Sequence, residues 1–233
     1  MAYHFDSYEA LAQHPDCKYA YDVHGEISNL TRRVESLNLV GDMLWPVPLP
    51  DFTTFPMSRY EWLTVSADVF LMRFISVVDC AMLVINEVFE CKLDASKCSI
   101  GNLRKSEVPN SVTDLLGAMM VAQGSLRPER NRRFHHGAER GFTQDDMIFR
   151  TAALMEHRGG VAGTDSFGRP LNMERSFREG LVELQKEFNA ASRKLVRQLN
   201  NLYDLLEPEF ERRFAPRFKA GPFARSPEVT ASE

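Results

Sequence analysis

The stretch of this chain with the most chemistry to offer is Arg127-Pro128-Glu129-Arg130-Asn131-Arg132-Arg133-Phe134-His135-His136-Gly137. Five arginines fall between 127 and 140 against two glutamates, in a chain whose formal net charge is -4. The patch is therefore a local excess of positive charge on an acidic molecule. Arginine forks match phosphate oxygens, and histidine moves protons near neutral pH. Together they suit RNA cleavage by internal transesterification. The ribose 2′-OH must lose a proton to attack its own phosphate, the developing negative charge must be held, and the 5′ oxygen must leave. A histidine acting as general base is typically worth about 10²–10⁴-fold, and an arginine can stabilise the charge. This chemistry needs no metal or other cofactor, and none is predicted. Metal-assisted hydrolysis would call for clustered carboxylates, and the sequence has no such constellation.

The same residues have plainer readings. The arginines can belong to a surface turn and pair with helix carboxylates. Asn131 can be a helix cap. A looser Arg-to-His spacing recurs at Arg150 and His157, inside a predicted helix and with a threonine rather than an asparagine after the arginine.

Arg130-Asn131-x-x-x-His135 resembles the signature of the HEPN superfamily. That signature is an arginine followed directly by a polar residue, often asparagine, then a histidine after four to six positions. The motif follows a bundle helix and precedes a long C-terminal one, as in that family, and Gly137 soon after the histidine also fits. The resemblance implies an all-α bundle that forms a homodimer, with two motifs facing each other across the two-fold axis in one composite cleft. It implies a metal-independent endoribonuclease, with RNA as substrate and a role as a toxin, in phage defence or in RNA processing. An antitoxin or another protein is a further partner that such a role implies. Arg130 would bind the scissile phosphate, His135 would be the base, and Asn131 would orient either. Arg132 and Arg133, with Arg127, His136 and Arg140, would be RNA contacts. Some members of the family are instead non-catalytic modules that bind protein, nucleotide or RNA.

The elements that must position these residues read as helices throughout. Leu30, Val34, Leu37 and Val40 mark a helix over 25–40. Pro46, Pro48, Pro50 and Pro56 exclude helix and central strand over 41–57. That stretch is predicted to be an extended crossing pinned by Trp45, Phe52 and Phe55. Ser58 opens a helix to about Leu93, apolar over most of its circumference and hence surrounded by other helices. Residues 94–110 read as a polar loop. Ser111-Val112-Thr113-Asp114 has the form of a capping box and starts a helix that Pro128 ends or kinks. Thr143 opens the next, to about Glu156. The glycines of 157–170 make a loop without the Gly-Lys-Ser/Thr ending of a phosphate-binding loop. Phe177, Leu181, Leu184, Phe188, Ala191, Leu195, Leu199, Leu202 and Leu206 then step by three and four along one long helix, a seam suited to bundle packing that Pro208 disturbs.

The expectation is thus an all-α bundle of four to five main helices, one domain over 1–214 with its core in 25–206, and a flexible tail over 215–233. The 233 residues suffice for one sizeable core. The start of the chain lacks a basic stretch followed by an apolar run, so it is no signal peptide. The most apolar stretch, Val69 to Phe89, carries Arg73, Asp79, Asn86 and Glu87, which favours a core helix over a membrane span. Cys17, Cys80, Cys91 and Cys98 form no Cys-x-x-Cys pair. Cys80 and Cys91 are expected in the core, and a reduced, cytoplasmic protein is the simple reading. His4, His14 and His24 lie ten apart, which is not a single-helix metal spacing. Arg212, Arg213, Arg217, Lys219 and Arg225 interleave with Phe214, Phe218 and Phe223. That pattern can grip single-stranded nucleic acid, or it can be a solvated or docked tail.

Overall fold

The computed structural model describes residues 5–164 and 167–218. Among them the chain is all α, with no strand and one isolated bridge, Thr164 to Pro170. The helices are α1 (Tyr8–Ala12), α2 (Pro15–Leu44), α3 (Arg59–Val88), α4 (Ile100–Lys105), α5 (Asn110–Ala122), α6 (Leu126–His136), α7 (Asp146–Gly159) and α8 (Met173–Phe214). Three of them dominate: α2 and α3 have 30 residues each and α8 has 42. No helix among the described residues is long and apolar enough to cross a membrane. His4, Lys219, Phe223 and Arg225, with most of the predicted tail, lie outside the described residues.

The chain divides into two compact units. One takes the residues up to Arg32, Val77–Met120 and those from Arg197 on; the other takes Arg33–Ser76 and Val121–Val196. The boundaries fall inside α2, α3, α5 and α8.

In the first unit, Val23 and Leu30 of α2, Val78, Val84 and Ile85 of α3, and Leu199, Leu202 and Leu206 of α8 are buried. The Tyr19 hydroxyl donates to the Val88 carbonyl at 2.9 Å, and its ring stacks on Phe210 at 5.3 Å. Asn86, one of the polar residues of the Val69–Phe89 stretch, is buried. Its amide closes the turn after α3, accepting from the Leu93 N–H at 3.0 Å and donating to the Leu93 carbonyl at 3.3 Å. That clamp holds a turn in which Glu90 and Lys92 take positive φ of 51° and 56°. Of the four free cysteines only Cys17 is buried. Cys80 and Cys91, expected in the core, are partly exposed, and partial burial still pushes the Cys98 thiol up to about 11.

In the second unit, Ser58 does more than open α3. Its hydroxyl accepts from the Glu61 N–H at 3.2 Å while the Glu61 carboxylate accepts from the Ser58 N–H at 2.7 Å. This reciprocal pair is a capping box. The proline-rich crossing is pinned by Phe52, which is buried and meets Phe177 at 5.0 Å. Trp45 stays 41% exposed at its edge. At Gly180, a Cβ would lie 2.7 Å from Leu63 Cδ1 and 2.9 Å from Phe142 Cβ, so α8 presses on α3 at this point.

Several boundaries differ from expectation, each for a local reason. Helix α2 begins ten residues early because Pro15 suits a first helical position. Residues 94–110 are not all loop: α4 forms there, capped by Ser99, whose hydroxyl accepts from the Asn102 N–H. Its single buried apolar residue, Leu103, offered no periodicity to read. The box expected at Ser111 does not form, since α5 already starts at Asn110 and the Pro109 carbonyl accepts from Val112 and Thr113. Thr143 is not a cap either; Asp145 precedes α7. Pro208 lies inside α8, which runs on to Phe214. The chain then makes a 3-10 turn over Ala215–Arg217.

Candidate functional site

The basic segment is a helix of its own. Gly124, with φ of 49°, breaks the chain after α5, four residues before the proline expected to do so. Pro128 then falls in the first turn of α6, where a missing N–H costs nothing. Gly137 closes the helix in the left-handed conformation, and its N–H and that of Ala138 reach the Arg132 carbonyl. Arg133, His135 and His136 lie in the last turn, where positive charge complements the helix dipole.

One side of α6 is committed to holding it in place. Arg133 has a side chain only 6% exposed; its Nε and Nη2 bind Asp68 Oδ1 of α3 at 2.8 and 2.5 Å. Its Nη1 is buried without a hydrogen bond, 3.9 Å from Glu129 Oε1. Arg140 bridges Glu129 at 3.3 Å and Glu187 of α8 at 2.7 Å. Arg127 donates through Nε to Gln123 Oε1 at 2.8 Å. Gln123 is buried, and its amide nitrogen reaches the Phe74 and Ile75 carbonyls of α3 at 3.4 and 3.3 Å. Beyond α6, Tyr60 and the Phe142 N–H both donate to the Asp146 carboxylate, at 2.9 and 2.7 Å. Burial, then the bond to Asp146, push the Tyr60 phenol up.

The remaining polar residues of α6 are uncommitted. Arg130 is partly exposed and donates only to its neighbour, Asn131 Oδ1, at 3.0 Å. Asn131, Arg132, His135 and His136 are exposed. Among the described residues, Arg130 and Arg132 have no carboxylate partner and the two histidines no hydrogen bond. The two local glutamates are spent elsewhere, Glu129 on Arg140 and Glu139 on Arg150. Among the described residues, therefore, nothing neutralises the charge of Arg130 and Arg132.

The expected residues are not all brought together. On an α-helix five positions turn through about 140°, so Arg130 and His135 point to different sides of α6. Asn131 and His135 are four apart and share a face, as do Arg132 and His136. Arg127, Arg133 and Arg140, expected as RNA contacts, spend hydrogen bonds on protein groups. The reading missed Gln123, Asp68 and Glu187. Gln123 stands four residues before Arg127, a spacing that helical periodicity offers, but the Gly124 break lies between them. Nothing local announces Asp68 or Glu187. No set of three or more His, Cys, Asp or Glu side chains among the described residues is arranged to hold a metal ion. Comparison with known proteins returns no family model, no curated protein and no solved structure that matches the chain.

Proposed function

We propose that the chain is a HEPN-like, metal-independent endoribonuclease that works as a homodimer through the exposed residues of α6. The observation that carries this reading is a contrast within one helix. Arg133 and the Glu129–Arg140 bridge anchor α6, while Arg130, Asn131, Arg132 and His135 stand exposed or partly exposed and, among the described residues, neither Arg130 nor Arg132 has a carboxylate partner. In the proposed reaction His135 takes the 2′-OH proton, the 2′ oxygen bonds to phosphorus, and the P–O5′ bond breaks. The leaving 5′ oxygen takes up a proton, and the product carries a 2′,3′-cyclic phosphate. Arg130 holds the phosphate oxygens as charge builds on them. Because Arg130 and His135 diverge around α6, one copy does not surround a phosphate. A second copy supplying the complementary group would complete the site.

The divergence also favours a second reading, a non-catalytic module that binds RNA or another anionic partner through α6. Incubation with mixed RNA in EDTA separates the two. Cleavage by the wild type, leaving 2′,3′-cyclic ends and lost in His135→Ala, supports the nuclease. Salt-dependent RNA binding without cleavage, in a protein that sediments as a dimer, moves the assignment to the module. Cleavage that survives both Arg130→Ala and His135→Ala sinks the proposed site.

A further inference from the structure

Away from α6, the first unit contains an open groove of about 400 Å³ between α2, α3 and α8. Its floor is apolar: Val23, Val84, Val88 and Leu206 line it and are each at most 4% exposed. Its rim is polar and of one sign. His24, Tyr203, Asp204 and Glu207 line it and are exposed, and among the described residues no lysine or arginine lines it. Among the described residues neither Asp204 nor Glu207 has an ion-pair partner. The two carboxylates are three apart on α8, where like charges are neighbours and repel. Partial burial against the groove pushes the Tyr203 phenol up.

We propose that this groove is a binding site for a small lipophilic cation, an organic amine whose apolar body lies on the valine and leucine floor and whose nitrogen meets Asp204 and Glu207. The volume is that of a small organic ligand rather than of a protein segment. The sign of the rim selects the charge: a cation relieves the repulsion between the two carboxylates, whereas an anion adds to it. The site is independent of the α6 reading and of any activity there.

The probes are a matched pair, 1-naphthylmethylamine and 1-naphthylacetate, which share an aromatic body and differ in charge. Titration calorimetry on the full chain, with the thermal midpoint followed in parallel, is expected to show saturable binding of the amine about tenfold tighter than of the carboxylate. The double variant D204N/E207Q changes only exposed side chains and keeps the fold. It is expected to bring the two probes to equal affinity. The proposal is overturned if the amine shows no saturable binding, if both probes bind the wild type alike, or if D204N/E207Q leaves the amine's affinity unchanged.

Discussion

The chain has two basic, aromatic-spaced runs, and they end differently. In the C-terminal run, Arg212 and Arg213 bind Glu209 at 2.7 and 2.5 Å, and Arg213 and Arg217 bind Glu90 at 3.2 and 2.6 Å. Arg217 also covers the Tyr19 ring at 4.6 Å, and Phe210, Phe214 and Phe218 stack in series at 5.6 and 5.7 Å. Every arginine of that run within the described residues has an acid. On α6, Arg130 and Arg132 have none. For Arg130 the difference is one of register; Arg132 stands three positions after Glu129, as Arg212 does after Glu209, but Arg140 takes that carboxylate at 3.3 Å. Glu209 stands three and four positions before its arginines, on the same helix face. Glu129 stands one position before Arg130, about 100° away around the helix, and turns to Arg140 instead. A basic run therefore signals function only once its nearby carboxylates have been placed.

The sharpest way to break the comparison is catalytic. Arg130→Ala is expected to lower RNA cleavage by about 10²-fold or more while the thermal midpoint stays within about 1 °C, because Arg130 holds nothing but Asn131. Arg212→Ala, equally basic and more exposed, is expected to leave cleavage unchanged. Equal losses in both variants would remove the distinction between the two runs.

The next effect is structural. Asp68→Ala leaves the Arg133 guanidinium buried without its carboxylate. Urea unfolding should show a loss of about 2–3 kcal/mol, less than for a fully buried pair because Asp68 is itself partly exposed. A loss under about 0.5 kcal/mol would mean that Arg133 finds water or Glu129 at no cost. Glu90→Gln, which weakens two more exposed contacts at once, should cost only about 1 kcal/mol.

The smallest effect concerns pH. Hydrogen bonds from Arg212 and then Arg213, working against burial, hold the Glu209 carboxyl down to about 2 from an ordinary 4.5. Its folded-state value lies below its unfolded one, so its contribution is complete above about 4.5 and fades as pH falls towards 2. Stability measured between pH 5 and 2.5 should fall less steeply in Glu209→Gln than in the wild type. Parallel slopes would show that the C-terminal cluster is not a stabilising ion pair network.

Much of the fold was legible because it rests on periodicity. The seam from Phe177 to Leu206 maps onto a single helix, with Phe177, Leu184, Leu195, Leu199, Leu202 and Leu206 buried. The apolar circumference of α3 appears as buried residues from Leu63 to Val88. Helix ends were less legible, because they depend on which of several polar residues wins a backbone group. Ser58 and Ser111 look alike in sequence. Only Ser58 has a glutamate three positions on to return the hydrogen bond, and only its helix starts there. The site was legible as a set of residue types and not as an arrangement. Arg130, Asn131 and His135 stood out by composition, but their directions depend on α6 being helical across the whole motif. A break at Pro128 would have left them free to converge.

By itself the sequence determined that the chain is helical, where its longest apolar seam runs, and that a cluster of arginines and histidines sits against its acidic background. Those properties follow from local spacing and from counts of charge. Only the tertiary structure decided which arginines are spent. Asp68 and Glu187 lie 65 and 47 residues from the cations they meet, and Glu90 lies more than 120 from its own. Pairing at that range depends on where helices pack rather than on what precedes or follows in the chain. The same packing left the carboxylates of Asp204 and Glu207 beside an apolar groove with no cationic partner among the described residues.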